Sequence, residues 1–426
     1  HPTPTTMDGR SEVQGRGVNN MGEVLQTIPA CNGSSGRNTS NVSGTGGVYL
    51  NLRSLGAVRT LVLVDGARIV PSSGNGTFDI NLVPTIALER SEIVTGGASA
   101  AYGSDAVAGL VILNTRRSFD GIRVQLRGGV SQYGDASNQS AALLFGKSLA
   151  DNRLHVTLAG EYENQTGVGN LSTRDWSRRN RQLVGPNIYD QVNLIKARPG
   201  TIFLGPTSMG TNTAFRADGR PYTAVQGTAI DATQQSGGDS PVGYFGQLVP
   251  LSKPVKRWSG LLNVGYDFSD SFKATLGFLY GHSETEHPTL AYSSVDVVTI
   301  QPTNAFLPAG LTLPGPTRIG RLSTDLYSSL ALTNDTYSAR LLLEGSLGGS
   351  WKWDAIGQYG DNKEDRRNPT GIVTANFARA ADAVRNAVFD RLVVAALEMQ
   401  QRDVRQRTPV GAVQHLVSDH DVEGAG

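Results

Sequence analysis

What this sequence has little of narrows the reading before any motif is sought. It holds one cysteine, Cys31, in 426 residues, which excludes an intrachain disulfide and argues against a metal–thiolate cluster. Charged residues make up only 18% and balance to a net +1, so the concentrated basic face of a nucleic-acid binder is absent. Hydrophobic content of 38% is low for a packed globular protein of this length. No run approaches the roughly 18 apolar residues that a membrane-spanning helix needs. No signal peptide precedes the chain, and His1 is not a natural start. A mature or truncated chain explains both, so neither fact argues for the cytoplasm.

Catalytic patterns are equally scarce. Gly146-Lys147-Ser148 has the end of a phosphate-binding loop, but Ala141 stands where the upstream glycine belongs and the triplet falls on a strand. Gly103-Ser104-Asp105 lacks the surrounding G-x-S-x-G of a nucleophile elbow. The histidines His1, His155, His282, His287, His415 and His420 are scattered without H-E-x-x-H spacing. The pair His282 and His287 reads as solvated rather than metal-bound. The expectation is a chain that does no covalent chemistry, with no catalytic residue, cofactor or metal.

What is abundant is glycine, 51 residues, with many Asn, Ser and Thr. That profile suits a β-barrel, in which only one face of each strand is apolar and long polar loops dilute the rest. The first 18 residues are polar. A short helix is expected over Asn20 to Thr27, ended by Pro29, and Cys31 to Gly47 is nearly free of apolar residues. Composition alone reads that stretch as a disordered linker. Arg59 to Val64 is an apolar strand ending in the turn pair Asp65-Gly66. Leu82, Ile86 and Leu88 with Glu89 and Arg90 predict a short helix entered through Asn81 and Pro84. Glu92 to Thr95 reads as a strand broken by Gly96-Gly97. A small-residue loop from Ala98 to Gly109 leads into the strand Leu110 to Leu113.

Taken in order, LRSLG (Leu52 to Gly56), RTLVLVDGAR (Arg59 to Arg68), IALERSEIVTGGASAAYGSDAVAG (Ile86 to Gly109) and the strand after it resemble the plug domain of TonB-dependent outer-membrane receptors. The series covers about 65 residues, and its order carries more weight than any one piece. The resemblance implies a plug that blocks a barrel lumen and a ligand bound by outer loops and plug apices. It also implies an inner-membrane energy complex that pulls on the plug. Its motif residues fall here on Arg53, Gly56, Asp65, Gly66, Glu92, Gly96, Gly97, Tyr102, Gly103, Asp105 and Gly109. Gly56, Gly66, Gly97, Gly103 and Gly109 are expected at turns or tight-packing positions, some with positive φ. The glycine- and serine-rich loops would face incoming ligand, offering Arg37, Asn38, Ser72, Ser73 and Asn75. Charges such as Arg53, Arg59, Arg68, Glu89 and Glu92 are candidates to pair with barrel-wall charges such as Arg123, Arg127 or Glu161, or else to stay solvated.

Beyond Arg117 the pattern becomes strand-like. Trp258, Leu262, Val264, Tyr266 and Phe268 alternate with polar positions. Phe272, Ala274, Leu276, Phe278 and Tyr280 do the same across the turn Ser269 to Ser271. Leu154 to Tyr162, Tyr337 to Leu347 and Trp351 to Tyr359 repeat it, and Gly121 to Val130 with Ser140 to Leu149 form a weaker pair. Segments of about nine to eleven residues suit tilted transmembrane strands. Aromatics at both ends of the apolar face suit two membrane interfaces, whereas a soluble sandwich would bury them mid-strand. The apolar face, including Trp353, is expected to point toward lipid. Turns near Ala150 to Asn152, Ser269 to Ser271 and Gly348 to Ser350 are short, while Gln165 to Lys256 and Ser283 to Asn334 are long, the outward loops of such a barrel.

The expected fold is therefore mainly β: a small mixed α/β plug domain at 1–116, then antiparallel transmembrane barrel strands at 117–386, with the barrel incomplete. Residues 387–426 form an off-pattern tail, read as frame-shifted or a gene-fragment junction in preference to helical. About seven strands are expected against about 22 in plugged transporters, and no energy-coupling motif precedes Asn19. As it stands the chain is expected not to transport. The functional reading is a TonB-dependent receptor in the bacterial outer membrane, here as a fragment. It would take up a scarce ligand such as a siderophore, cobalamin, glycan or peptide. Its partners would be outer-membrane lipid and the TonB-type energy-coupling complex, with no nucleic acid. The alternatives are a passive porin or adhesin, and a soluble enzyme with a Gly-rich loop at Gly96 to Gly109.

Overall fold

The computed structural model describes residues 5–7, 21–26, 28–31, 34, 46–95, 99–170, 173–194, 201–203, 213–215, 220–231, 234–239, 250–288, 297–320, 329–348, 351–367, 378, 382 and 405–407. Arg37, Asn38, Gly96, Gly97 and nearly all of the tail lie outside these residues, as do the expectations placed on them.

The first unit contains β1 (Thr5–Met7), α1 (Met21–Gln26), β2 (Thr60–Val64), β3 (Ala67–Arg68), β4 (Leu88–Thr95), α2 (Ser99–Tyr102) and β5 (Gly109–Thr115). Its strands form one mixed sheet in the order β1-β4-β5-β2-β3. β2 runs parallel to β5, and the other pairs are antiparallel. Every residue of β2 is buried, which explains its unbroken apolar run: a parallel strand is covered on both faces. Val62, Val64, Ile93, Val111 and Leu113 join one core with α1 and several residues of the second unit. Leu61, Leu63, Leu110 and Ala106 form a smaller cluster on the opposite face.

The expected helix around Leu82 to Arg90 is not there. Two 3-10 turns, Ile80–Leu82 and Thr85–Ala87, are followed at once by β4. Pro84 holds Val83 extended (φ −88°, ψ 122°), since the residue before proline is pushed out of the helical region. Sheet pairing of Leu88 with Thr115 then takes the rest. Conversely, the loop Ala98 to Gly109 holds the helical turn α2 and a 3-10 turn, Ser104–Ala106.

The second unit is a sheet of eight strands. β6 (Gly121–Gly129), β7 (Asn138–Leu149), β8 (Leu154–Gln165), β9 (Val255–Ser269), β10 (Phe272–Pro288), β11 (Ser329–Gly348) and β12 (Trp351–Arg367) pair antiparallel with their sequence neighbours. The segment Arg405–Arg407 pairs with the far end of β12. Among the described residues the sheet does not close on itself. Most of its strands run longer than alternation alone suggests: β10 and β12 continue into the polar stretches 281–288 and 360–367, and β11 begins with Leu330 and Leu332 buried. The long connections are not bare loops. Thr201–Phe203 pairs with Thr317–Gly320, which pairs with Val297–Ile300, so one small sheet joins the two longest connections.

This sheet is inside-out for a water-soluble protein. Asn263 and Thr275, at 1% and 7% exposure, lie on the face against the first unit, while Leu276 and Phe278 stand 50% and 43% exposed on the other. Apolar outside with polar inside is the pattern of a membrane barrel. Ring contacts link Tyr266, Phe268, Phe272 and Trp353 near the short turns, at 4.7, 5.1 and 6.0 Å between successive centroids. At the other end Tyr162 meets Trp258 at 6.2 Å and Tyr280 meets Tyr337 at 5.1 Å. Trp258 and Tyr266 are eight positions apart on β9, roughly 26 Å along a strand, or about 20 Å across a bilayer at a tilt near 40°. The expectation of two aromatic belts and an outward apolar face is what the structure shows.

Candidate functional site: where the plug-like unit meets the wall

Asp65-Gly66 is the two-residue turn between β2 and β3, with φ of 52° and 84°. Two left-handed residues make the tight hairpin that Asp-Gly favours. The sequence reading stopped at that turn, yet the Asp65 carboxylate is the centre of the interface. It accepts from the Thr115 N–H at 2.6 Å and the Thr115 hydroxyl at 2.7 Å. Arg340 of β11 reaches it at 2.7 Å and also donates to the Val64 carbonyl at 2.7 Å. Asn263 of β9 donates to the Thr115 hydroxyl oxygen at 3.0 Å and to the Arg116 carbonyl at 3.1 Å. Two wall side chains thus grip the ends of the two parallel strands. The ion pair is almost wholly buried, its side chains 9% and 3% exposed, so each charge depends on the other.

Further contacts run up and down the wall. Glu161 of β8 accepts from the backbone N–H of Thr85 at 2.7 Å and of Ile86 at 3.4 Å. Arg117 pairs with Glu344 at 3.1 Å toward the short-turn end, and Arg123 stacks on the Phe119 ring at 5.3 Å. Near the long loops Glu163 and Arg257 form a buried pair at 2.8 Å. They face Asp79, whose carboxylate accepts from the N–H groups of Val48 and Asn81. Burial, with help from Glu163, pushes the Asp79 pKa up against the pull of Arg257 and those donors. Glu161 therefore does meet the first unit, but through backbone N–H groups, while Arg123 stacks on Phe119 in the segment that leads into β6. The charges that pair across are Asp65 with Arg340; Arg117, just after β5, pairs with Glu344.

The remaining plug charges stay at home. Arg68 pairs with Asp105 at 2.5 Å and also donates to the Tyr102 carbonyl, tying β3 to the segment after α2. The Arg68 hydrogen bond holds the Asp105 carboxyl below its usual range. Glu92 pairs with Arg90 at 2.6 Å, and Arg59 donates to the Leu55 carbonyl. Arg53 is exposed in a left-handed conformation, φ 54°. Gly56, Gly66, Gly103 and Gly109 have φ of 109°, 84°, 87° and 135°, as the motif reading expects.

Of the loop residues offered to ligand, Ser72 and Ser73 are buried. Ser72 accepts from the Asp79 N–H through its hydroxyl, and its carbonyl accepts from Asn334 of the wall. Ser73 bonds Thr77 at 2.7 Å. Both hydroxyls shape the turn from within instead of meeting solvent. Asn75 is exposed at its tip between Gly74 and Gly76. Among the described residues no cluster of His, Cys, Asp and Glu has metal-binding geometry.

Residues 1–110 match the family model described as TonB-dependent Receptor Plug Domain. Solved structures similar to the chain include a mutant ferric enterobactin receptor from Pseudomonas aeruginosa in complex with enterobactin. It is 13% identical, with 87% of this chain and 50% of that chain covered and a TM-score of 0.40. The siderophore receptors PirA and PiuA from Acinetobacter baumannii are 15% and 14% identical, with 86% of this chain covered in each case. They are covered over 48% and 46% of their own lengths, at TM-scores of 0.36 and 0.39. The chain spans about half the length of the solved structures it matches.

Proposed function

We propose that this chain, whose first 110 residues match the TonB-dependent receptor plug, is part of an outer-membrane receptor that imports a scarce ligand by moving that plug. The observation that carries the reading is the Asp65–Arg340 pair with Thr115 and Asn263, which fastens the plug to the polar inner face of an inside-out sheet. A polar grip suits a part that must move. Each broken hydrogen bond is remade with water, so its net worth is only about 1 kcal/mol, or about 1.5–3 where a charge takes part; the apolar core that the plug shares with Leu144, Leu261 and Leu279 of the wall adds to the work of pulling it out. The outward apolar face and aromatic belts support the reading that lipid surrounds the wall. An inner-membrane complex of the TonB type would supply the pull. The ligand class, whether siderophore, cobalamin, glycan or peptide, would be met first at the long-loop end, where Asn75 is exposed on the plug.

Uptake measured in cells carrying the full-length receptor tests this. Labelled ligands of each class are offered with and without a protonophore. Import of one class that stops when the proton-motive force collapses is the expected result. Entry indifferent to the protonophore would make the protein a passive pore instead.

A further inference from the structure

Glycines on the inner face of the wall lie opposite plug side chains at several heights. A methyl group built on Gly281 of β10 would come within 2.7 Å of the Leu82 Cβ, and one on Gly360 of β12 within 2.9 Å of the Val70 Cβ. At mid-height a methyl on Gly277 would lie 3.1 Å from the Asn263 carbonyl oxygen and 3.2 Å from the Arg340 guanidinium. Toward the long loops the roles reverse: the plug's Gly46 takes the Val255 side chain of β9. Glycines on the lipid face have no plug neighbour: Gly345 of β11 takes the Trp353 ring of β12, 2.5 Å from a built methyl, and others stand open. A methyl on Gly260 meets only the Ala159 carbonyl oxygen at 3.8 Å, and one on Gly357 meets nothing within 4 Å.

We infer that Gly281 and Gly360 are sockets for Leu82 and Val70, and that they index the plug to one position on the wall. Strand interiors disfavour glycine, which weakens pairing and leaves a gap in packing. Here each gap is filled from the plug. The polar latch supplies attraction but tolerates small slips, since hydrogen bonds bend. Close-packed knobs do not, because overlap rises steeply and an extra methyl in a filled site forces its neighbours to shift. Two sockets on different strands, β10 and β12, pin the plug at two separate points. In the proposed function, on which only its purpose rests, this lets a displaced plug return to the same seat.

Amide hydrogen exchange of the plug in the full chain, folded into liposomes, tests the sockets without any transport assay, so a failed uptake experiment and a loose plug are told apart. Gly281→Ala and Gly360→Ala are each expected to speed exchange across residues 70–88 by roughly tenfold. Gly260→Ala, the same change on the lipid face, is expected to leave it unaltered. Combining Gly360→Ala with Val70→Ala, and Gly281→Ala with Leu82→Ala, gives two independent cycles. Paired residues predict that each double variant falls at least about threefold short of the product of its single effects. If one pair does not fold, the other decides. Unchanged exchange in a folded socket variant, or purely multiplicative doubles, would overturn the inference.

Discussion

At the scale of single residues, Asp65 shows how a turn signal hides a site. Its left-handed backbone makes the hairpin, and the same geometry turns its carboxylate onto Thr115 and Arg340. Replacing Arg340 by Met removes the ion-pair partner of a buried carboxylate. Plug docking should weaken by about 3–5 kcal/mol, read as a fall in the denaturant midpoint of plug fluorescence or exchange. Replacing Asp65 and Arg340 together by Asn and Met should cost less than Arg340→Met alone, because no charge is then stranded. Asp79 gives a pH signature. Its folded-state pKa is raised, chiefly by burial, so its contribution to stability is present below the unfolded value near 4. That contribution is lost as pH rises through the folded value. Asp79→Asn keeps an oxygen for the Val48 and Asn81 N–H groups. It should stabilise the plug at pH 7 and flatten the pH dependence, which titration of the unfolding midpoint will show. A variant less stable than the parent at pH 7 would contradict this.

At the scale of elements, the legible and the illegible divide along physical lines. Strand alternation such as Phe272 to Tyr280 is a local signal written by one lipid-facing side, so it reads directly from sequence. The plug series reads from Arg59 to Gly109 because its glycines answer to local backbone demands: Gly109, at φ 135°, also lies so close to the Val94 carbonyl that no side chain fits. Gly109→Ala should therefore cost stability on both counts, by about 1–3 kcal/mol or more. That loss would appear as a lower midpoint of plug unfolding with the wall's own transition unmoved. The helix expected near Leu82 fails because Pro84 and pairing with β5 override a weak apolar spacing. Arg340 and Asn263 are not legible as a latch, since each is one polar residue among many on an inward face, and Glu161, a legible wall charge, meets backbone N–H groups in place of a plug charge. Their importance depends on partners more than 70 residues away, which no local pattern encodes. Ser72 and Ser73 mislead for the converse reason: serines in a glycine-rich turn look offered to solvent but satisfy the turn itself.

At the scale of the molecule, the proposed arrangement is a plug held on the polar inner face of a wall whose other face meets lipid. Arginine placed at Leu276 or Phe278 should then cost about 2–4 kcal/mol of membrane folding, as at the middle of a bilayer-facing strand. In a soluble sandwich the same change at half-exposed sites would be nearly neutral. Folding yield into liposomes against denaturant distinguishes the two. The most direct test is a cysteine scan of Phe272 to Tyr280 in a Cys31→Ser background, with a spin label at each position of the chain folded into bilayers. Collision with lipid-dissolved oxygen is compared with collision with a water-soluble nickel chelate. The account predicts oxygen access at Ala274, Leu276 and Phe278, none at Thr275, Gly277 and Leu279, and so a period of two along the strand. Equal access of the nickel chelate to Leu276 and Phe278, or oxygen access without that alternation, would contradict it.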